Sequence, residues 1–248
     1  MATDSATTPS RAVPTPANRT TPRWLRESWV VLFAVYCIGF GIYGEAKYAT
    51  FSREMSRVPV RPDVPAHYPL LAIHVLTGFI AICLAWCQVW PWLRETRPQL
   101  HRRLGWVYYL FGVFPSCLLA FPVAILTPAG QAVRSVLLVL AVMWTVTVVA
   151  GFRAILQHRY EDHRRWMLRN VALTTTIVTS RILSWWFVSW TDGLLPDTYE
   201  HQPLLTFTSM SATGLWTALL LHMSFVEWYL LRPRRRGGAR KTKGAAAR

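Results

Sequence analysis

The residues best placed to do chemistry in this chain are histidines and one arginine set among apolar side chains: His74, His101, His163, His222 and Arg181. Imidazole exchanges protons near neutral pH and ligates metals. A guanidinium keeps its charge and holds carboxylates or carbonyls through a planar fork. Inside a long apolar run such groups are costly unless they face a protein interior, a water-filled cavity or a ligand. The stretch 162–181 is the richest. On a helix, His163, Met167, Asn170, Thr174, Ile177 and Arg181 fall within about 40° of one direction, so this helix has one polar face.

Other stripes answer it. His74, Gly78, Ala81, Ala85 and Gln88 share a face, as do His101, Gly105, Tyr108, Gly112 and Pro115, and Thr208, Ser211, Ala218 and His222. The small residues from Gly78 to Ala85 would admit either a neighbouring helix or a flat ligand. We take His74 and Arg181 as the candidate catalytic pair, Arg181 fixing the acidic or carbonyl end of a ligand and His74 exchanging protons beside it. Gly78, Gln88, Tyr108, Asn170, Thr174 and His222 are candidate ligand-binding residues. His101 and His163 each open a helix with the triplet His-Arg-Arg and come to one depth. That makes them the candidate metal ligands, because a bis-histidine haem needs two imidazoles at the same level.

The elements that must position these residues are membrane helices. The chain has 248 residues, 52% of them hydrophobic and only 16% charged, too apolar for an ordinary soluble protein. Six segments are long enough to cross a core of about 30 Å: 28–44, 69–92, 104–126, 131–153, 166–190 and 204–231. The fold class is all-α, a polytopic bundle of six transmembrane helices occupying 24–231. It follows a disordered segment rich in Thr, Pro, Ala and Ser at 1–23 and precedes a basic tail at 232–248. Span 131–153 is nearly all aliphatic and reads as a lipid-facing or packing helix; Pro115 and Pro122 should kink the span that holds them. The cysteines Cys37, Cys83, Cys87 and Cys117 read as small buried hydrophobes. Glu227, near one span end, would be satisfied by Arg232.

Lysine and arginine set the orientation, because cytoplasmic loops retain them. Four lie before Ser28, four between Arg94 and Arg103, five between Arg153 and Arg169, and eight from Arg232 onward, against five in the alternate loops. Both termini are therefore expected in the cytoplasm and the protein in a bacterial plasma membrane. The net charge of +15 is distributed as this insertion rule requires. It suits anionic lipid headgroups rather than nucleic acid.

Three motifs resemble one family. They are His74-x-x-x-Gly78-x-x-Ala81 with Gln88; Leu100-His101-Arg102-Arg103-Leu104-Gly105-x-x-Tyr108; and Asp162-His163-Arg164-Arg165-Trp166-Met167-Leu168-Arg169, followed by Ala172-Leu173-Thr174 and Arg181. Over roughly residues 65 to 190 they look like the predicted membrane proteins catalogued as domain of unknown function two thousand three hundred and six. The resemblance implies the fold and the site positions, not an activity. Trp106, where the family tends to have Arg, and Asn170, where it tends to have Ser, depart from its pattern. A second resemblance joins His101-x-x-x-Gly105 to membrane cytochromes of the b type and makes haem b the candidate cofactor.

Three functions fit these features. The favoured one is a membrane redox or biosynthetic protein, as an enzyme a membrane oxidoreductase component, binding haem, quinone or another flat apolar or anionic small molecule. The others are a small-molecule or proton transporter using the polar column, and an accessory subunit whose polar stripes hold helices together. Soluble-enzyme signatures for hydrolases, metalloproteases and nucleotide-binding loops are absent.

The topology is directly testable. A reporter fused at Asp197 should report the outer side and one fused after Arg232 the cytoplasm; cytoplasmic activity at Asp197 would reverse the assignment.

Overall fold

The computed structural model describes residues 23–56, 58–194 and 203–232. The expected disordered segment, the basic tail and the acids Asp197 and Glu200 fall outside these residues, apart from Arg23 and Arg232. Helix α1 is Arg23–Glu45 and α2 is His67–Val89; the short α3, Pro91–Thr96, follows. Helix α4, Pro98–Val107, runs through a π segment, Tyr108–Val113, into α5, Phe114–Leu126. Helices α6, Gly130–Leu156, α7, Tyr160–Leu194, and α8, Pro203–Leu231, complete the chain. No strand occurs among the described residues, and the six long helical stretches are apolar enough to cross a membrane.

Local chemistry sets the boundaries. Pro91 and Pro98 each start a helix, where a missing N–H costs nothing. Helix α6 ends with Arg159 N–H on the Ala154 carbonyl and His158 at φ 59°, the left-handed closure usually given to glycine. The π segment lies just before Pro115. A proline ring collides with the carbonyl four residues back, and the wider π turn relieves that crowding while passing Phe114 N–H to the Tyr109 carbonyl. The expected disturbance at Pro115 thus includes a π segment immediately upstream of it.

Packing centres on two helices. Helix α7 lies against α6 and α8 and also reaches α2 and α1; α2 lies between α1 and the π–α5 stretch. Leu32, Val35, Phe111, Leu118, Leu220 and Leu221 stay exposed, forming the outward apolar surface that a bilayer covers. The small stripe of α2 is filled mainly by protein. Ala81 and Ala85 are fully buried, and a β-carbon on Gly112 would come within 3.0 Å of Ala81 N. Cys37, Cys87 and Cys117 are buried and all four cysteines are free.

The even number of spans puts the starts of α1, α4 and α7 at one end, the basic end, and the connection between α1 and α2 at the other. That connection is an ordered cap. Two 3₁₀ turns, Ala46–Thr50 and Arg53–Met55, fold over α2. Tyr48, Tyr68, Leu71, Ala72 and Val123 form a small core beneath them. The cap is tied by the Tyr68 hydroxyl donating to the Ser52 carbonyl (2.7 Å) and by the Arg61 N–H donating to Nδ1 of the buried His67 (3.0 Å). On its surface Arg61 pairs with Asp63 at 2.5 Å, and this hydrogen bond holds the carboxyl below its usual range.

Gly112→Ala should force apart the closest helix crossing and lower stability in detergent by ~1–3 kcal/mol. Gly39→Ala, whose β-carbon meets nothing within 4 Å, should be neutral or slightly stabilising. Thermal unfolding of both variants tests this; equal midpoints would mean that the crossing tolerates a methyl group.

Candidate functional site

The polar face of α7 meets its partners in the middle of the bundle. Tyr108, which the π segment turns toward α7, donates to Asn170 Oδ1 (2.8 Å) and lies 3.0 Å from Thr174 Oγ1. The Trp144 indole N–H donates to Thr174 Oγ1 (2.9 Å), and Asn170 Nδ2 donates to Thr147 Oγ1 (3.1 Å). All five side chains are buried. Three expected residues, Tyr108, Asn170 and Thr174, are therefore in contact. Helix α6 packs against α5, α7 and α8, in line with its reading as a lipid-facing or packing helix, and its Trp144 also closes this network. An aliphatic helix with a single tryptophan held the signal, since a buried indole needs an acceptor.

Directly beside the network is a cavity of about 120 Å³ between α2, α5, α6 and α7. His74, Gly78, Ser116, Ala141, Trp144 and Thr174 line it among aliphatic side chains. His74 Nδ1 is 2.9 Å from the Ser116 carbonyl and 3.0 Å from Ser116 Oγ. A carbonyl only accepts, so Nδ1 carries the proton. Ser116 Oγ in turn donates to the His74 carbonyl (3.1 Å). Ser116 was not foreseen; it approaches because Gly78 has no side chain there, a β-carbon on Gly78 lying 3.3 Å from Ser116 Oγ.

The other expected residues lie elsewhere. His222 lies level with Thr174 as expected, in a tie of its own: its Nδ1 donates to the Ala172 carbonyl (2.8 Å), and its Nε2 lies 2.8 Å from Thr179 Oγ1, which meets the Tyr36 hydroxyl at 2.5 Å. This joins α1, α7 and α8. Arg181 does not line the cavity and has no hydrogen-bond or ion-pair partner among the described residues. It stands one turn beyond Ile177, a lining residue, and one turn short of the exposed Trp185, about 6 Å from each along the axis. Glu227 is corrected too: it receives two hydrogen bonds from Arg169, 2.6 and 2.9 Å, while Arg232 covers the Trp228 ring.

At the basic end, His101 and His163 each occupy the fourth position of their helices. His163 Nδ1 bonds the Gly151 carbonyl (2.9 Å); His101 Nδ1 and Gln88 Nε2 are buried without partners. The pair does not fit a haem. A glycine one turn from a ligand histidine suits a porphyrin by leaving room for the ring, yet the space beside Gly105 is taken by Gln88, whose Oε1 would lie 3.4 Å from a β-carbon there. The 120 Å³ cavity touches neither histidine and is below the roughly 300–1,000 Å³ of pockets for larger ligands. Among the described residues no group of three or more His, Cys, Asp or Glu could hold a metal ion. The polar column is also interrupted. Between Asn170 and His163 the Tyr109 hydroxyl is spent on the thioether of buried Met167 (2.8 Å).

In comparison with known proteins, the family model described as predicted membrane protein (DUF2306) matches residues 71–229. No curated protein and no solved structure matches the chain.

Tyr108→Phe keeps the ring and deletes the hydroxyl that ties the π segment to α7. Hydrogen bonds between membrane helices average ~0.6 kcal/mol and reach ~1.7 kcal/mol, so a loss of about 1–2 kcal/mol is expected for this two-partner hydroxyl. Unfolding in mixed micelles measures it, and unchanged stability would show the network to be energetically idle.

Proposed function

Because the chain belongs to the DUF2306 family of predicted membrane proteins, whose model matches well over half of its length, its chemistry is to be sought within the bilayer, and we propose that its cavity binds the ring of a small amphipathic molecule of the quinone class. The observation that carries this reading is His74, an imidazole fixed through Nδ1 by Ser116 at the wall of an otherwise mostly apolar cavity. Small-molecule sites combine largely apolar walls with a few placed polar groups. At about 120 Å³ the cavity is close in size to the ~150 Å³ engineered apolar cavity that holds benzene, room for a single ring and not for its tail. A tail on that ring would leave toward the lipid.

In this reading the protein is of the redox or biosynthetic class. His74 exchanges a proton with the bound head group, Gly78 lets Ser116 reach His74, and Tyr108, Asn170 and Thr174 fix the cavity wall. Gln88, His101 and His163 serve the basic end, without haem. Arg181 extends along the lipid surface toward the Trp185 level, as long basic side chains near a membrane interface do. The exposed Arg102, Arg103 and Arg165 attract anionic lipid headgroups on the cytoplasmic face of a bacterial plasma membrane. The interruption at Tyr109 and Met167 weighs against a continuous transport path.

Protein purified in mild detergent from quinone-replete cells should carry a ring-headed lipid, detectable by mass spectrometry of the extract. Ala141→Leu, which fills the cavity from α6, should lower its occupancy by about tenfold, ~1.4 kcal/mol in binding, without loss of a monodisperse fold. Failure to recover or rebind any such compound, or unchanged occupancy in Ala141→Leu, would refute the cavity as the site.

A further inference from the structure

The polar groups around the cavity are nearly all committed to one another. Thr174 Oγ1 receives the Trp144 N–H and donates to the Asn170 carbonyl (2.8 Å). The Ser116 hydroxyl donates to the His74 carbonyl, and Nδ1–H of His74 points at Ser116. What is left is His74 Nε2, which has no partner among the described residues and, with the proton fixed on Nδ1, offers a lone pair. No Asp, Glu, Lys or Arg lines the cavity. With His74 in the cavity wall, Nε2 is the acceptor open to a ligand there, while the N–H and O–H groups of the lining side chains are committed.

Resting on the ring-binding reading above, we infer that the site selects the reduced, hydroxyl-bearing form of its ligand, a quinol or phenol, over the carbonyl form. A quinol O–H donates to His74 Nε2 and satisfies both groups. A quinone carbonyl in the same place sets acceptor against acceptor and leaves both without a donor, and unpaired buried polar groups are what sites of this kind reject most strongly. Ser116 is the positioning residue: its carbonyl holds the tautomer that makes Nε2 an acceptor. Binding deposits the ligand's hydroxyl proton next to the one ring nitrogen able to take it.

Three probes separate the possibilities: a benzoquinol bearing one isoprene unit, the corresponding quinone, and the quinol's dimethyl ether, which keeps the ring but has no O–H. Anaerobic calorimetric titration of the full chain in detergent, at a pH where the imidazole is neutral, should give quinol binding at least about tenfold tighter than either of the others, the value of one good hydrogen bond. In His74→Phe, which keeps a flat ring without nitrogen, the three affinities should converge. Quinone or ether binding as tightly as quinol to the wild-type chain overturns the inference but leaves the cavity as a ring site. Persistence of the preference in His74→Phe overturns it as well. Should His74→Phe not fold, the wild-type comparison of quinol with its ether still decides. If none of the three binds the wild type, the ring-binding reading itself fails.

Discussion

The structure depends on one constraint: polar groups inside a bilayer must find their hydrogen bonds within the protein. Helix α7 brings Asn170, Thr174, Thr175, Thr176 and Ser180 into the interior, all buried. Several of these hydroxyls return to their own helix, as Thr175 and Thr176 do to the carbonyls of Val171 and Ala172. Asn170 and Thr174 do not stop there, and it is their reach to Tyr108, Trp144 and Thr147 that binds the π segment and α6 to α7. The His222–Thr179–Tyr36 tie does the same for α8 and α1. With water absent from the surroundings, these contacts specify which helix lies next to which more sharply than aliphatic packing, which lipid tails imitate.

The cavity follows from the same arrangement. The π segment permits Tyr108 to face α7, and Gly112 lets the helix cross α2 at backbone contact. One turn farther toward the cap, Ser116 meets His74 and Gly78, and beyond that contact the small side chains Ala120 and Ala124 of α5 and Ala141 of α6 line the cavity. Val75 and Val123 belong both to the cavity wall and to the small core under the cap. The cavity thus sits between a buried polar network toward the basic end and the small apolar core under the cap on the other side.

At the basic end the charges play a different part. Arg169 with Glu227 fastens α7 to α8, and Arg169 also lies over Trp166 at 5.0 Å. The pair is partly exposed, so its contribution is moderated by solvent. Here the His-Arg-Arg triplets begin their helices at matching positions, which accounts for their resemblance to each other better than shared ligation does.

The sequence alone determined the membrane class, the six spans and the polar face of α7, because apolar run length and helical period are local properties of a chain. It also named Tyr108, Asn170 and Thr174, which the fold brings together. It missed Ser116 and the bond of Trp144, offered Arg232 where Arg169 holds Glu227, and did not show that Arg181 stands outside the cavity that His74 lines. Helical period gives a residue's direction and rough depth but not the neighbour in that direction. The order of helices around α7, the π turn ahead of Pro115 and the single uncommitted nitrogen of His74 were decided only in three dimensions, where a proline's missing N–H, a glycine's missing side chain and the demand for buried hydrogen bonds act on different helices at once.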